Sequence, residues 1–162
     1  MKIFIGSDHA GYELKEQLKA YLSELSYIVE DMGASVYNAD DDYPDFVKPL
    51  AEKVAHDAKS RGIFIGGTGQ GEAICANRTA GIRAALFYGT VLPKQVVDIA
   101  GRQSSDPYEI VRLARMHNDA NILSLSARFL LLGEAKEAVR VFLETGFEAD
   151  ERHARRIGKI DA

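Results

Sequence analysis

Gly62-Ile63-Phe64-Ile65-Gly66-Gly67-Thr68-Gly69-Gln70-Gly71-Glu72 is the stretch on which the fold of this chain turns. Its apolar start is too short for a helix and reads as a buried strand. Four glycines between Gly66 and Gly71 then allow a tight turn, and Glu72 to Thr79 reads as a helix. Strand, glycine turn and helix together form the unit of a parallel sheet. Backbone N–H groups at such a helix start make an anion-receptive pocket. Glu72 would repel a phosphate held there. The pattern therefore fits loop amides that stabilise a transient oxyanion while Glu72 moves a proton. The simpler reading is a tight turn with Glu72 as a favourable first-turn acid.

Working outward, Ile3-Phe4-Ile5 reads as a first strand and Tyr12 to Leu25 as an amphipathic helix with Leu14, Leu18, Tyr21 and Leu22 on one face. Tyr27-Ile28-Val29 is a short strand. Asp45, after Pro44, is a possible cap for a helix running to Lys59. Further strands are expected at Ile82–Phe87 and Asn121–Leu125. Alternating strands and helices, with strands apolar on both faces, predict a five-stranded parallel sheet covered by helices on both faces, a three-layer α-β-α sandwich. Ligands of such sheets bind beyond the carboxyl ends of the strands, where the strand order reverses. Residues 1–162 are read as a single domain. Apolar spacings from Thr90 to Met116 predict two helices broken at Gly101–Pro107. Residues 149–160 carry too few apolar positions for a core helix and are expected to lie as an arm across another surface.

Composition narrows the function. A formal charge of -4 argues against a binder that neutralises nucleic-acid phosphates. The lone Cys75 excludes a disulfide framework and fits a reducing cytoplasm. The opening Met1–Gly6 runs straight into a strand, unlike a signal peptide, and no apolar run reaches the roughly 18 residues of a membrane span. With no His-x-x-x-His and no paired cysteines, no metal site is expected. The loop also lacks the Gly-Lys-Ser/Thr of NTPases and the first-strand glycine fingerprint of dinucleotide folds, so neither a nucleotide nor a nicotinamide cofactor is expected.

Polar residues near the strand ends supply the other candidates. Asp8-His9 follows the first strand, as a helix cap or facing a ligand. His117-Asn118-Asp119 precedes the last strand, and His117 is the best acid–base candidate near neutral pH. Arg152 and Arg156 share a helical face with His153 beside them, and two guanidiniums aimed at one point suit a phosphate, unless they pair with Glu148 or Glu151. Arg128 is another candidate phosphate ligand. His56 reads as a surface histidine and Cys75 as packing.

These residues together resemble the ribose-5-phosphate isomerase B family, which also includes the galactose-6-phosphate isomerase subunits. The matching stretches are Ile5–Gly11, Asp42-Tyr43-Pro44, Gly66–Glu72, Ala76–Ala84, Arg115–Asn121 and Arg152-His153 with Arg156. The resemblance implies a doubly wound, Rossmann-like α/β domain and cofactor-free aldose–ketose isomerisation of a sugar phosphate, ribose 5-phosphate first, with a tetrose or hexose phosphate, or a non-catalytic phosphosugar-binding domain, as the alternatives. It also implies a homodimer or dimer of dimers with active sites at the interface. One branch of the family uses a cysteine base directly after the third strand. Gly66 stands there, and Glu72 matches the glutamate-base branch. By the same resemblance, His117 and Thr68 support ring opening and Asp8 holds a sugar oxygen. Gly67, Gly69, Gly71 and Asn118 hold the enediolate, and His9, Arg128, Arg152 and Arg156 hold the phosphate. Residues 89–106 depart from the common pattern and read as an inserted helical segment.

Overall fold

The chain is described over residues 1–162 by a computed structural model. Its elements are β1 (Lys2–Ser7), a 3-10 turn (His9–Gly11), α1 (Tyr12–Glu24), β2 (Ile28–Asp31), α2 (Pro44–His56), β3 (Arg61–Gly66), α3 (Gln70–Ala76), β4 (Ala84–Phe87), α4 (Glu109–Asn118), β5 (Ile122–Ser126), α5 (Leu132–Glu144) and α6 (Glu151–Ile157). The five strands form one parallel sheet in the order β2-β1-β3-β5-β4. The order reverses between β1 and β3, so Asp8-His9 and the glycine loop leave adjacent strands on either side of the switch point.

The sheet is buried on both faces, as the unbroken apolar strands require. On one face Ile3, Ile5, Ile63, Ile65, Leu123 and Leu125 pack with Leu18 and Leu22 of α1, Val111 of α4, and Ala138, Val139 and Phe142 of α5. On the other, Phe4, Phe64 and Ile122 meet Val47, Leu50, Ala51 and Val54 of α2 and Ala76 of α3. Each fully buried aliphatic or aromatic side chain contributes about 1.5–3 kcal/mol. No helix is long and apolar enough to cross a membrane.

The structure corrects several boundaries. Pro44 itself opens α2 and Tyr43 is its flanking residue, so Asp45 lies in the first turn instead of capping it. Residues 89–106 hold no helix, and only the second of the two expected there exists, as α4. Arg102 explains the difference. It bonds Asp98 at 3.0 Å and the buried Glu109 at 2.7 Å, and Ser104 donates to the other Glu109 oxygen at 2.8 Å. The segment is thus tied to the start of α4 by polar side chains, while Val91, Val96 and Ile99 stay exposed instead of lining a helix. The α5 helix, for which the sequence reading offers no expectation, starts where Glu134 accepts from the Leu131 amide at 2.9 Å. Within 149–160, Glu151–Ile157 forms one short helix, α6, capped by Asp150, whose carboxylate accepts from the Arg152 amide at 2.7 Å.

Candidate active site

The glycine loop is shaped from below by two buried serines of β5. Ser126 donates to the Gly67 carbonyl at 2.9 Å and Ser124 to the Gly69 carbonyl at 2.7 Å. With those carbonyls held toward the sheet, the amides of Gly67, Thr68, Gly69 and Gly71 have no backbone acceptor. Gly69 sits at φ +73°, and a side chain there would also meet Leu86 Cδ1 at 2.7 Å. Glycine is required on both counts. The exposed Thr68 accepts from the Gln70 amide through its hydroxyl at 3.3 Å.

Glu72 lies in the first turn of α3 and is only 5% exposed. Its carboxylate folds back beneath the end of β3: a Cβ built on Gly66 would stand 2.8 Å from Glu72 Cγ and closer still to its Cδ and Oε1. The last residue of β3 therefore has to be glycine if a glutamate at position 72 is to occupy this place. Glu72 Oε2 is buried and has no hydrogen-bond partner. Burial pushes the carboxyl above the usual range and the nearby Asp8 charge adds to this, against an opposing backbone amide. A proton-accepting carboxylate with a free lone pair is the result.

Asp8 both caps and faces the site. Its Oδ1 accepts from the Ala10 and Gly11 amides at 3.0 and 3.2 Å, which realises the capping reading and leaves Oδ2 unused. Burial raises its pKa, opposed first by the Gly11 amide. His9 is held by Asp41, a residue sequence reasoning missed although it adjoins the Asp42-Tyr43-Pro44 match. Asp41 Oδ1 bonds both the His9 amide, at 3.0 Å, and His9 Nδ1, at 2.7 Å. That carboxylate hydrogen bond raises the His9 pKa and favours the cation. Arg128 stands next to it: its amide donates to the Gly67 carbonyl at 3.2 Å, and its guanidinium packs over Gly67.

His117, Asn118, Arg152 and Arg156 are elsewhere. The α4 helix runs back against the strands, so its end lies at their amino ends, where Arg83 bonds the Asn118 and Asp119 carbonyls at 2.9 Å. Strands of five or six residues at about 3.3 Å each put roughly 15–20 Å between that edge and the glycine loop. Within one chain, then, the expected set divides. Asp8, His9, Thr68, the loop, Glu72 and Arg128 form one half. His117, Asn118, Arg152 and Arg156 line a separate cavity of about 530 Å³, walled by residues 96–100. His117 stacks on His153 with ring centroids 4.3 Å apart. Burial, and then the His153 charge, lower its pKa, so it is neutral near pH 7. Although the sequence offers no metal-type spacing, His117, His153 and Glu148 bring their ligand atoms within 4.8 Å of one another.

Ion pairing accounts for five of the arginines and leaves Arg61, Arg78 and Arg155 unpaired alongside the three candidates. Arg83, Arg102, Arg112, Arg115 and Arg140 are held by carboxylates. The Arg128, Arg152 and Arg156 guanidiniums enter no ion pair, and neither Glu148 nor Glu151 engages the last two. His56 is exposed and bonds the Glu52 carbonyl, and Cys75 is half-buried with burial raising its thiol pKa; neither joins the site.

Known proteins match the chain along nearly its whole length. A family model described as Ribose/Galactose Isomerase covers residues 3–160. Ribose-5-phosphate isomerase B of Mycolicibacterium paratuberculosis is 38% identical over 157 residues, 97% of this chain and 87% of that protein. The putative sugar phosphate isomerase YwlF of Bacillus subtilis is 38% identical over 99% of this chain and 95% of its own. Among solved structures, ribose-5-phosphate isomerase B from Mycoplasma genitalium with bound ribulose-5-phosphate superposes with a TM-score of 0.83 at 38% identity, covering 98% of this chain and 93% of that one. The Thermotoga maritima enzyme gives 0.82 at 41%, covering 99% and 97%. The chain is a member of the ribose/galactose isomerase family.

Proposed function

We propose that this protein interconverts ribose 5-phosphate and ribulose 5-phosphate without a cofactor, in a site completed by a second copy of the chain. The observation that carries the chemistry is the buried, half-unpartnered Glu72 carboxylate beneath a loop of free amides. The ribulose-5-phosphate in the Mycoplasma genitalium relative supports the choice of substrate.

In this reading His117, neutral at pH 7, takes part in opening the sugar ring, with Thr68 beside it and Asp8 Oδ2 on a sugar oxygen. Glu72 then removes the C2 proton of the open aldose, and the electron pair moves onto the C1 oxygen as a cis-enediolate. The amides of Gly67, Gly69 and Gly71, with Asn118, hold that oxygen. The O2 hydroxyl proton passes to O1, the C2 carbonyl forms, and Glu72 returns its proton to C1, which lies next to C2, so one carboxylate serves both. An ordinary glutamate, with pKa about 4.3, is a weak base for this proton. Burial and the prepared oxyanion site narrow that gap. His9, Arg128, Arg152 and Arg156 take the phosphate. The lone cysteine fits a cytoplasmic setting.

Two features support the second copy. The site residues fall into halves at opposite edges of one sheet, and neither half has both a base and a ring-opening histidine. Beside the glycine loop, Leu86 and the exposed Ile74 and Tyr88 also line an open apolar groove of about 680 Å³. Mixing inactive Glu72→Gln and His117→Asn chains tests the arrangement, after an assay on C4, C5 and C6 sugar phosphates in chelator. Shared sites predict recovery toward about a quarter of wild-type activity, because half the random dimers carry one intact site. No recovery after subunit exchange would place both residues in one chain's site and refute the reading.

A further inference from the structure

We infer that His117, His153 and Glu148 form a binding site for a borderline transition-metal ion of the Zn²⁺ class, and that an ion held there takes His117 away from the sugar. Three chain segments build the cluster. His117 is on the last turn of α4, His153 is in α6, and Glu148 lies on the connection before α6. The connection is fixed to α4 by the Glu148 amide, which donates to the Met116 carbonyl at 3.0 Å. The three ligand atoms lie within 4.8 Å of one another.

Ligands on one tetrahedral zinc, each about 2.0–2.1 Å from the metal, stand roughly 3.4 Å apart. The longest separation has therefore to contract by up to about 1.4 Å. The two imidazoles are stacked, 12° between planes, and both line the same cavity. Ring rotation about χ2 is soft, so both nitrogens can turn toward a common point without moving either helix. Glu148 is exposed, forms no ion pair and can swing in as the third ligand. Two imidazoles and one carboxylate are the donor set of an open zinc site, with the fourth position facing the cavity. Arg152 and Arg156 on the same cavity oppose a cation, while Asp98 and Asp150 favour one. Asp98 is already paired with Arg102, so covalent-type ligation by the histidines must carry the affinity.

Part of this inference rests on the reading of His117 as a ring-opening residue, so binding and activity are measured separately. Metal-stripped protein is titrated with Zn²⁺ calorimetrically, with Mg²⁺ as an oxygen-preferring control. One Zn²⁺ per chain is expected, with no Mg²⁺ response. His153→Ala and Glu148→Gln should each weaken Zn²⁺ binding by more than about tenfold, since even partners behind a ligand cost 10–100-fold. His56→Ala should leave it unchanged. Isomerase turnover should fall with Zn²⁺ occupancy, recover with chelator, and resist the same Zn²⁺ concentration in His153→Ala. Absence of Zn²⁺ binding, or binding equal in wild type and His153→Ala, overturns the metal site while leaving the isomerase reading intact. Full Zn²⁺ occupancy with undiminished turnover overturns the inhibitory role and tells against His117 in ring opening.

Discussion

Replacing Gly66 with alanine puts a methyl carbon into the space of the Glu72 side chain, 2.8 Å from Cγ and nearer to the carboxyl atoms. Non-bonded carbons rest at about 3.5–4.0 Å, so the side chain has to retreat by roughly 1 Å. Glu72 is 5% exposed and has little room to do so. An added methyl in a filled interior costs about 1–3 kcal/mol of stability. Displacing a reacting group by about 1 Å costs on the order of 10²-fold in rate, equivalent to about 2.7 kcal/mol of barrier. The assay is steady-state isomerisation of ribose 5-phosphate beside thermal unfolding. The expected result is kcat lower by about 100-fold with KM within about threefold, since the phosphate ligands are untouched. In a Glu72→Gln background the same methyl should reduce turnover by less than about threefold further, because the group it displaces is already disabled. Gly66→Ala turnover within about threefold of wild type, or losses that multiply in the double variant, would refute the reasoning.

Two further substitutions separate the base from the phosphate end. Glu72→Gln should lower kcat by about 10²–10⁴-fold with little change in KM. Its stability effect has a defined sign: the folded-state pKa is raised, so wild type loses stability as pH rises from about 4.3 through that higher value. The variant should therefore unfold at higher temperature than wild type at pH 8, with the gap closing toward pH 4; a gap independent of pH refutes the buried charge. Asp41→Asn should release His9 to titrate at lower pH, followed by NMR of the ring, and raise KM about tenfold at pH 7.5 through loss of a charged phosphate contact worth about 1.5–3 kcal/mol. The KM penalty should shrink toward pH 6, where the imidazole is protonated without help, and an unchanged His9 titration sinks this account.

The sheet was legible in the sequence because its strands are short apolar runs closed by glycine or polar residues, and Ile3–Ile5, Ile63–Ile65 and Ile122–Leu125 all lie in the core. The glycine loop with Glu72 was legible for the same local reason. Residues 89–106 misled because Val91, Val96 and Ile99 have helical spacing, whereas the polar pair Arg102 and Glu109, outside that apolar pattern, ties the segment to α4. Ser124 and Ser126 escaped notice because nothing near them in sequence marks them, and Asp41 because the adjoining Asp42-Tyr43-Pro44 match does not show that its carboxylate reaches His9. Their roles arise only when β5 slides under the loop and the 38–42 turn reaches His9. The division of the site into two halves is likewise invisible along the chain, since it depends on the direction in which α4 runs against the strands.

That direction has a consequence for how the protein behaves as a population. If pairing brings the halves together, a solitary chain can be fully folded and wholly inert, with its base exposed to no sugar held in readiness. Specific activity should then fall with dilution while the unfolding signal of each chain persists, so output rises more steeply than the amount of protein. Such a molecule sets its own threshold. Chains made at low level stay silent, and the acid–base pair that would rearrange a reactive sugar is assembled only once enough copies have accumulated to meet.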